Sequence, residues 1–74
     1  MSLQQLKYLD ALARYGNFRR AAEACSVTQP TLSAGIRALE KDLGALLVQR
    51  SNQFGGLTNE GEQVLAWAQR MLYE

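Results

Sequence analysis

The sequence contains no histidine, one cysteine and one proline. Without histidine no side chain ordinarily titrates near neutrality for acid–base catalysis, and Cys25 alone can build neither a zinc cluster nor an internal disulfide. Cys25 reads as a small buried residue closing a helix, with a redox-sensitive thiol as the alternative. There is no Gly-rich phosphate motif, and no carboxylate pair stands among groups that would tune it. These absences argue against an enzyme, a cofactor and a metal site. No apolar run approaches the roughly 20 residues of a membrane span, and the N-terminus lacks the charged-then-apolar order of a signal peptide. The expected location is therefore the cytoplasm, with no membrane partner.

An excess of one charge is also missing, since the net charge is only +1. Its distribution is uneven. Residues 14–37 hold Arg14, Arg19, Arg20 and Arg37 against Glu23 alone, a net +3, whereas residues 38–74 carry a net −2. What the chain does have is apolar content: 47% of its 74 residues are hydrophobic, enough for one small folded module and too much for a disordered tail.

Ser2 with Gln5 reads as a capping box, and Leu6, Leu9, Leu12 and Ala13 give a helical stripe ending at Gly16. Asn17 caps a short second helix whose inner side is Phe18, Ala21, Ala22 and Cys25, leaving Arg19, Arg20 and Glu23 outside. The paired alanines allow close packing against a third helix, with Ser26-Val27 as a tight connection. The third helix is expected from about Thr28 to Gly44, with Thr28 as N-cap, Pro30 in the first turn and Gly44 as C-cap. Leu32, Ile36, Leu39 and Leu43 recur on one stripe.

The opposite side of that helix carries Pro30, Ala34, Arg37 and Lys41, flanked by Thr31, Ser33 and Ala38. A surface made to bury another protein would offer bulky apolar or aromatic anchors there, and this one offers none. Small polar side chains let a helix sink into a major groove, where Gln29 can read adenine edges and Thr31 or Ser33 can bond bases or phosphates. Two helices so joined read as a helix-turn-helix, the alternative being a generic three-helix bundle. Gly35 inside the third helix costs about 1 kcal/mol relative to Ala. It either permits close backbone approach, to DNA or to the second helix, or is simply tolerated.

Leu46-Leu47-Val48-Gln49-Arg50 is short and apolar enough for a strand. Ser51-Asn52-Gln53-Phe54-Gly55-Gly56 is turn chemistry, with Phe54-Gly55-Gly56 as a loose tip before Leu57 returns as a second strand. Such a hairpin is the wing of a winged helix, spanning about Arg50–Leu57. Thr58 caps a last helix with Glu60 and Glu62 in its first turns. Its apolar positions Val64, Leu65, Trp67, Ala68, Met71 and Leu72 cover about 160° of circumference against a usual stripe of about 100°. One side can cover the domain, and the surplus, Trp67 and Met71 above all, suggests a second surface for a partner helix. No capping signal precedes Glu74, so the helix is expected to run on into a longer protein.

The expected fold is thus mainly α with a small β-hairpin: three helices, a wing and a C-terminal linker helix. Residues 1–57 would form the winged helix-turn-helix and residues 58–74 the start of the linker. The residues within this frame resemble a known family. Asn17-Phe18-Arg19-Arg20-Ala21-Ala22, Val27-Thr28-Gln29-Pro30-Thr31-Leu32-Ser33, Ile36, Leu39-Glu40, Leu43-Gly44, Leu47, Arg50, Leu57-Thr58 and Gly61 are similar to the N-terminal DNA-binding domain of LysR-type transcriptional regulators. Phe-Arg-Arg-Ala-Ala with Gln-Pro-Thr-Leu-Ser most resembles the OxyR-like branch.

That resemblance implies sequence-specific binding of double-stranded DNA at an inverted-repeat operator by a bacterial regulator. Gln29, Pro30, Thr31, Ser33 and Ala34 would lie at base edges and nearby backbone, and Arg19, Arg20 and Thr28 near phosphates. Arg37 adds charge on the same side. Arg50 and Gln53 belong to the wing, with Arg50 touching DNA or bracing the hairpin. The resemblance also implies a homodimer through Val64, Leu65, Trp67, Ala68, Met71 and Leu72 and higher oligomers of the full-length protein. An effector would bind only in a C-terminal portion beyond this chain. The sequence departs from the family pattern at Gln53, where a basic residue is usual, at Gly55, where Val is usual, and at Gly35, where a larger polar residue is common. The modest charge and glycine-rich wing leave a rival: a winged-helix module for protein interaction or dimerisation without specific DNA binding.

Overall fold

Helix α1 (Leu3–Tyr15) opens on the expected capping box: the Gln5 N–H donates to Ser2 Oγ at 3.2 Å and the Ser2 N–H to Gln5 Oε1 at 3.1 Å. It closes at Gly16, whose left-handed φ of 68° lets its N–H reach the Leu12 carbonyl at 2.9 Å. Asn17 Oδ1 then accepts from the Arg20 N–H at 2.9 Å and starts α2 (Phe18–Ala24). These features belong to a computed structural model, which describes residues 1–50 and 53–74.

Cys25 ends α2, and Ser26 turns the chain with φ 58°. The Val27 N–H returns to the Ala22 carbonyl at 3.0 Å while its side chain packs on the core. Thr28 Oγ1 accepts from the Thr31 N–H at 3.3 Å to begin α3 (Gln29–Leu43), which stops at Gly44 with φ 67°. Helix α1 packs against α2, α3 and α4, so it is the hub of the fold. Leu6, Leu9 and Leu12 from α1 are fully buried with Leu32, Ile36 and Leu39 from α3 and Leu47. Ala21 and Ala22 are buried at the crossing of α2 with its neighbours, as their small size foretold.

Leu43 does not belong to this core. It lies at the right angle on α3 but is 39% exposed, because it falls in the last turn, beyond the inward contacts that end at Leu39. Gly35 is explained by α1 instead of DNA or α2. A Cβ there would sit 2.5 Å from Cδ2 of the buried Tyr8 ring, so the missing side chain lets α3 lie flat on Tyr8.

The hairpin is shifted from the expected positions. Strand β1 is Val48–Arg50, and Leu46 and Leu47 precede it as anchors: Leu46 is exposed with its carbonyl accepting from Thr58 Oγ1 at 2.6 Å, and Leu47 is buried. Phe54-Gly55-Gly56 is not a loose tip. Phe54–Leu57 is strand β2, antiparallel to β1, pairing Val48 with Leu57 and Arg50 with Phe54. That register leaves one extra residue on β2, a bulge that Gly56 enters with φ 106°. The expected turn residues Ser51 and Asn52 lie outside the described residues.

Helix α4 (Asn59–Tyr73) starts at Thr58, whose Oγ1 accepts from the Gly61 N–H at 2.9 Å. Its apolar arc divides between two jobs. Ala68 is completely buried, and Val64 and Leu72 pack on the core, so these three serve the domain itself. The expectation that Ala68 meets a second subunit is therefore corrected: its side chain is completely covered within the fold. Trp67 and Met71 remain 41% and 49% exposed, and Leu65 is half-buried. Among the described residues no helix is long and apolar enough to cross a membrane.

Candidate nucleic-acid interface

The N-cap at Thr28 and the inward stripe of α3 together decide what the helix shows outside. With Leu32, Ile36 and Leu39 fully buried, Gln29, Pro30, Thr31, Ala34 and Arg37 are exposed and Ser33 is half-buried. The outward residues are short up to Ala34, so they add little bulk between the helix backbone and whatever it meets. Thr28 Oγ1 is occupied by its own helix: it accepts from the Thr31 N–H and donates to Thr31 Oγ1 at 2.9 Å. Its first duty is to cap α3.

Three separate segments converge beside this helix start. A cleft of about 340 Å³ is lined by Gly16, Asn17, Phe18 and Arg19 from the α1–α2 corner, Gln29 from α3, and Gln53 and Phe54 from the wing. Arg19, Gln29 and Gln53, far apart in sequence, thus border one concavity. The aromatic floor is Phe18 against Phe54, edge to face with centroids 6.1 Å apart. Arg19 lies 3.6 Å from Glu23, but both side chains are about two-thirds exposed, so the pair is weak and the guanidinium can turn to another anion. Arg20 and Arg37 are exposed and form no salt bridge among the described residues.

Arg50 does not line this cleft. Its Nη1 lies 3.0 Å from Glu40 Oε1, its guanidinium sits 5.9 Å from the Phe18 ring centroid, and its Nη2 is buried with no partner among the described residues. Only 23% of its side chain is exposed, so of the two roles expected for Arg50 the one seen in this structure is bracing the wing. Glu40 is the centre of that brace. Its Oε2 accepts the N–H groups of Leu47 at 2.8 Å and Val48 at 3.3 Å, fastening β1 to the end of α3. Burial pushes its carboxyl up, but the Leu47 N–H, the Arg50 guanidinium and the Val48 N–H outweigh that and hold it below its ordinary value.

Arg14 also leaves the positive group to which its sequence position assigned it. It lies 3.4 Å from Asp10 and 5.8 Å from the Tyr73 ring centroid, among residues of α1 and α4. The exposed cations on α2 and α3, beside the helix start, are Arg19, Arg20 and Arg37, with Lys41 further along α3. Sequence reasoning missed Glu40 and Asp10 as buried carboxylates. The available signal was helical spacing: Asp10 stands four residues after Leu6 and Glu40 four after Ile36, which puts both carboxylates on the inward faces of their helices.

With this geometry in view, the likenesses to known proteins are informative. Residues 3–62 match the family described as bacterial regulatory helix-turn-helix protein, lysR family. The chain is 43% identical over all 74 residues to the hydrogen peroxide-inducible genes activator of Haemophilus influenzae, of which it spans 25%. Among solved structures, full-length OxyR from Pseudomonas aeruginosa superposes with a TM-score of 0.93 at 47% identity, covering 97% of this chain and 24% of that one. The DNA-binding domain of CbnR in its DNA complex superposes with a TM-score of 0.89 at 42% identity, covering 97% of this chain and 83% of that one. The chain thus spans about a quarter of the curated relative. With its helix-turn-helix and bulged wing, it belongs to the LysR family of bacterial regulatory helix-turn-helix proteins.

Proposed function

We propose that this chain is the sequence-specific, double-stranded DNA-binding domain of an OxyR-like transcription regulator, acting in the bacterial cytoplasm without catalysis. Helix α3 enters the major groove, Gln29, Pro30, Thr31, Ser33 and Ala34 meet base edges and nearby backbone, and Arg19, Arg20 and Arg37 face phosphates. Gln53 on the wing approaches the adjacent backbone. Residues 1–57 are the winged helix-turn-helix, and α4 begins the linker through which two copies pair by Trp67, Met71 and Leu65. Two copies would set their α3 helices about 34 Å apart on an inverted repeat. Effector binding and higher assembly would belong to the longer protein.

The observation that carries this reading is the cleft bordered by Arg19, Gln29 and Gln53 beside an exposed, small-residue helix start. It offers a base reader, a phosphate cation and a wing residue to one ligand. Selecting bound duplexes from a random pool gives the site, after which Gln29→Ala should lower discrimination at one base pair by about 1–3 kcal/mol. Arg19→Ala should instead weaken all sequences alike and shallow the salt dependence by about one counterion. Equal loss on specific and random DNA for Gln29→Ala would refute the base-reading role. The pairing of Arg50 within the fold favours one rival, a protein-interaction module, whose mark would be DNA binding that does not weaken with salt.

A further inference from the structure

The cluster that the proposed DNA contacts leave unused is centred on Asp10. This carboxylate is 4% exposed, and three side chains donate to it. Tyr73 Oη donates to Oδ2 at 2.5 Å, Arg14 Nη2 to the same oxygen at 3.4 Å, and Gln69 Nε2 to Oδ1 at 3.2 Å. Gln69 and Tyr73 are one turn apart on α4, so the helix grips both oxygens of one carboxylate. Two attachment points a turn apart restrain the rotation of α4 about its axis as well as its tilt.

The other end of α4 is fixed independently. The Thr58 N–H donates to the Leu47 carbonyl at 3.0 Å, and a Cβ on Gly61 would collide with that same carbonyl oxygen. Between these ends stand the exposed Trp67 and Met71. A tilt of about 10° over a helix about 22 Å long moves its far end about 4 Å, close to one base-pair step.

We infer that Asp10, through Gln69 and Tyr73, is a positioning residue that sets the angle of α4 against the reading helix and thereby the half-site spacing that a pair of chains accepts. The inference rests on the pairing through α4 proposed above. Hydrophobic contact by Ala68 and Leu72 holds the helix down, but packing of this kind fixes a crossing angle only to within about 15–20°. The charge-assisted bonds to Asp10 supply the direction.

The test uses the double variant Gln69→Ala, Tyr73→Phe, which leaves Asp10 its Arg14 partner and removes no core side chain. Two measurements are made on it and on the native chain. The first is the spin-label distance between Glu23→Cys and Glu74→Cys in a Cys25→Ser background, diluted with unlabelled chain. The second is affinity for duplexes whose two half-sites are moved apart or together by single base pairs. The native chain should give a narrow distance distribution and lose about tenfold or more in affinity per base-pair shift, since a shift misaligns several base contacts at once. The variant should broaden the distribution and flatten the spacer profile to within about threefold, while binding to a single half-site and its base discrimination stay native.

A variant with the native distance distribution and spacer profile, whatever its melting temperature, overturns the inference. If the distances broaden but the native chain ignores the spacer, the pairing reading fails and the link to spacing falls with it. In that outcome the clamp itself remains measured.

Discussion

Glu40→Ala is the most demanding test of how the wing is held. Removing that side chain strands the Leu47 and Val48 N–H groups, both buried, and deprives Arg50 of its carboxylate. Each orphaned buried donor costs about 1–3 kcal/mol, and breaking a buried ion pair from one side costs about 3–5 kcal/mol in total. Arg50 keeps 23% of its side chain in water and can turn outward, which favours the low end, so the expected loss is about 3 kcal/mol. A domain of this size holds about 4–11 kcal/mol, and each kcal/mol moves the melting temperature by about 4–8 °C, so the midpoint should fall by about 12–24 °C. Glu40→Gln keeps an acceptor oxygen for the two N–H groups and should lose about 1–2 kcal/mol.

Thermal and urea unfolding followed by far-UV circular dichroism measure these losses, and Arg50→Ala with the Glu40→Ala, Arg50→Ala pair completes a double-mutant cycle. The coupling energy should reach about 1–2 kcal/mol. Losses that add within about 0.5 kcal/mol, or a Glu40→Ala midpoint within about 4 °C of native, would mean that the brace is not the joint between α3 and the wing.

Gly35→Ala should also destabilise, although Ala is the better helix former by about 1 kcal/mol, because its Cβ would overlap the Tyr8 ring and overpacking costs about 1–3 kcal/mol. A rise in the urea midpoint would show that the ring yields freely. In acid, Asp10 and Glu40 both titrate below their ordinary 3.8 and 4.5 in the folded chain, so the unfolded chain takes up their protons first as pH falls. Their stabilisation is whole above those ordinary values and drains away as pH drops through the lower folded ones. Unfolding free energy should decline from about pH 4.5 downward, and the decline should be shallower in the Asp10→Asn, Glu40→Gln variant. An unchanged acid limb in that variant would assign acid unfolding to other groups.

The sequence by itself determined the helices and their ends. Ser2, Asn17, Thr28 and Thr58 all cap as their spacing required, and Gly16 and Gly44 both terminate helices, since capping is an interaction across three or four residues. It also determined which side of α3 faces out, because the leucine stripe admits one orientation, and the family pattern runs through those same residues. Only the tertiary structure decided the use of each long-range partner. Arg50 turned inward to Glu40, Gly35 made room for Tyr8, and Phe54-Gly55-Gly56 paired with β1 as a strand, with Phe54 against Phe18. Asp10 found its donors 59 and 63 residues away on α4. Periodicity reports the angle of a residue about its own helix. Which neighbour fills that angle depends on how separate elements pack, and no local pattern encodes it.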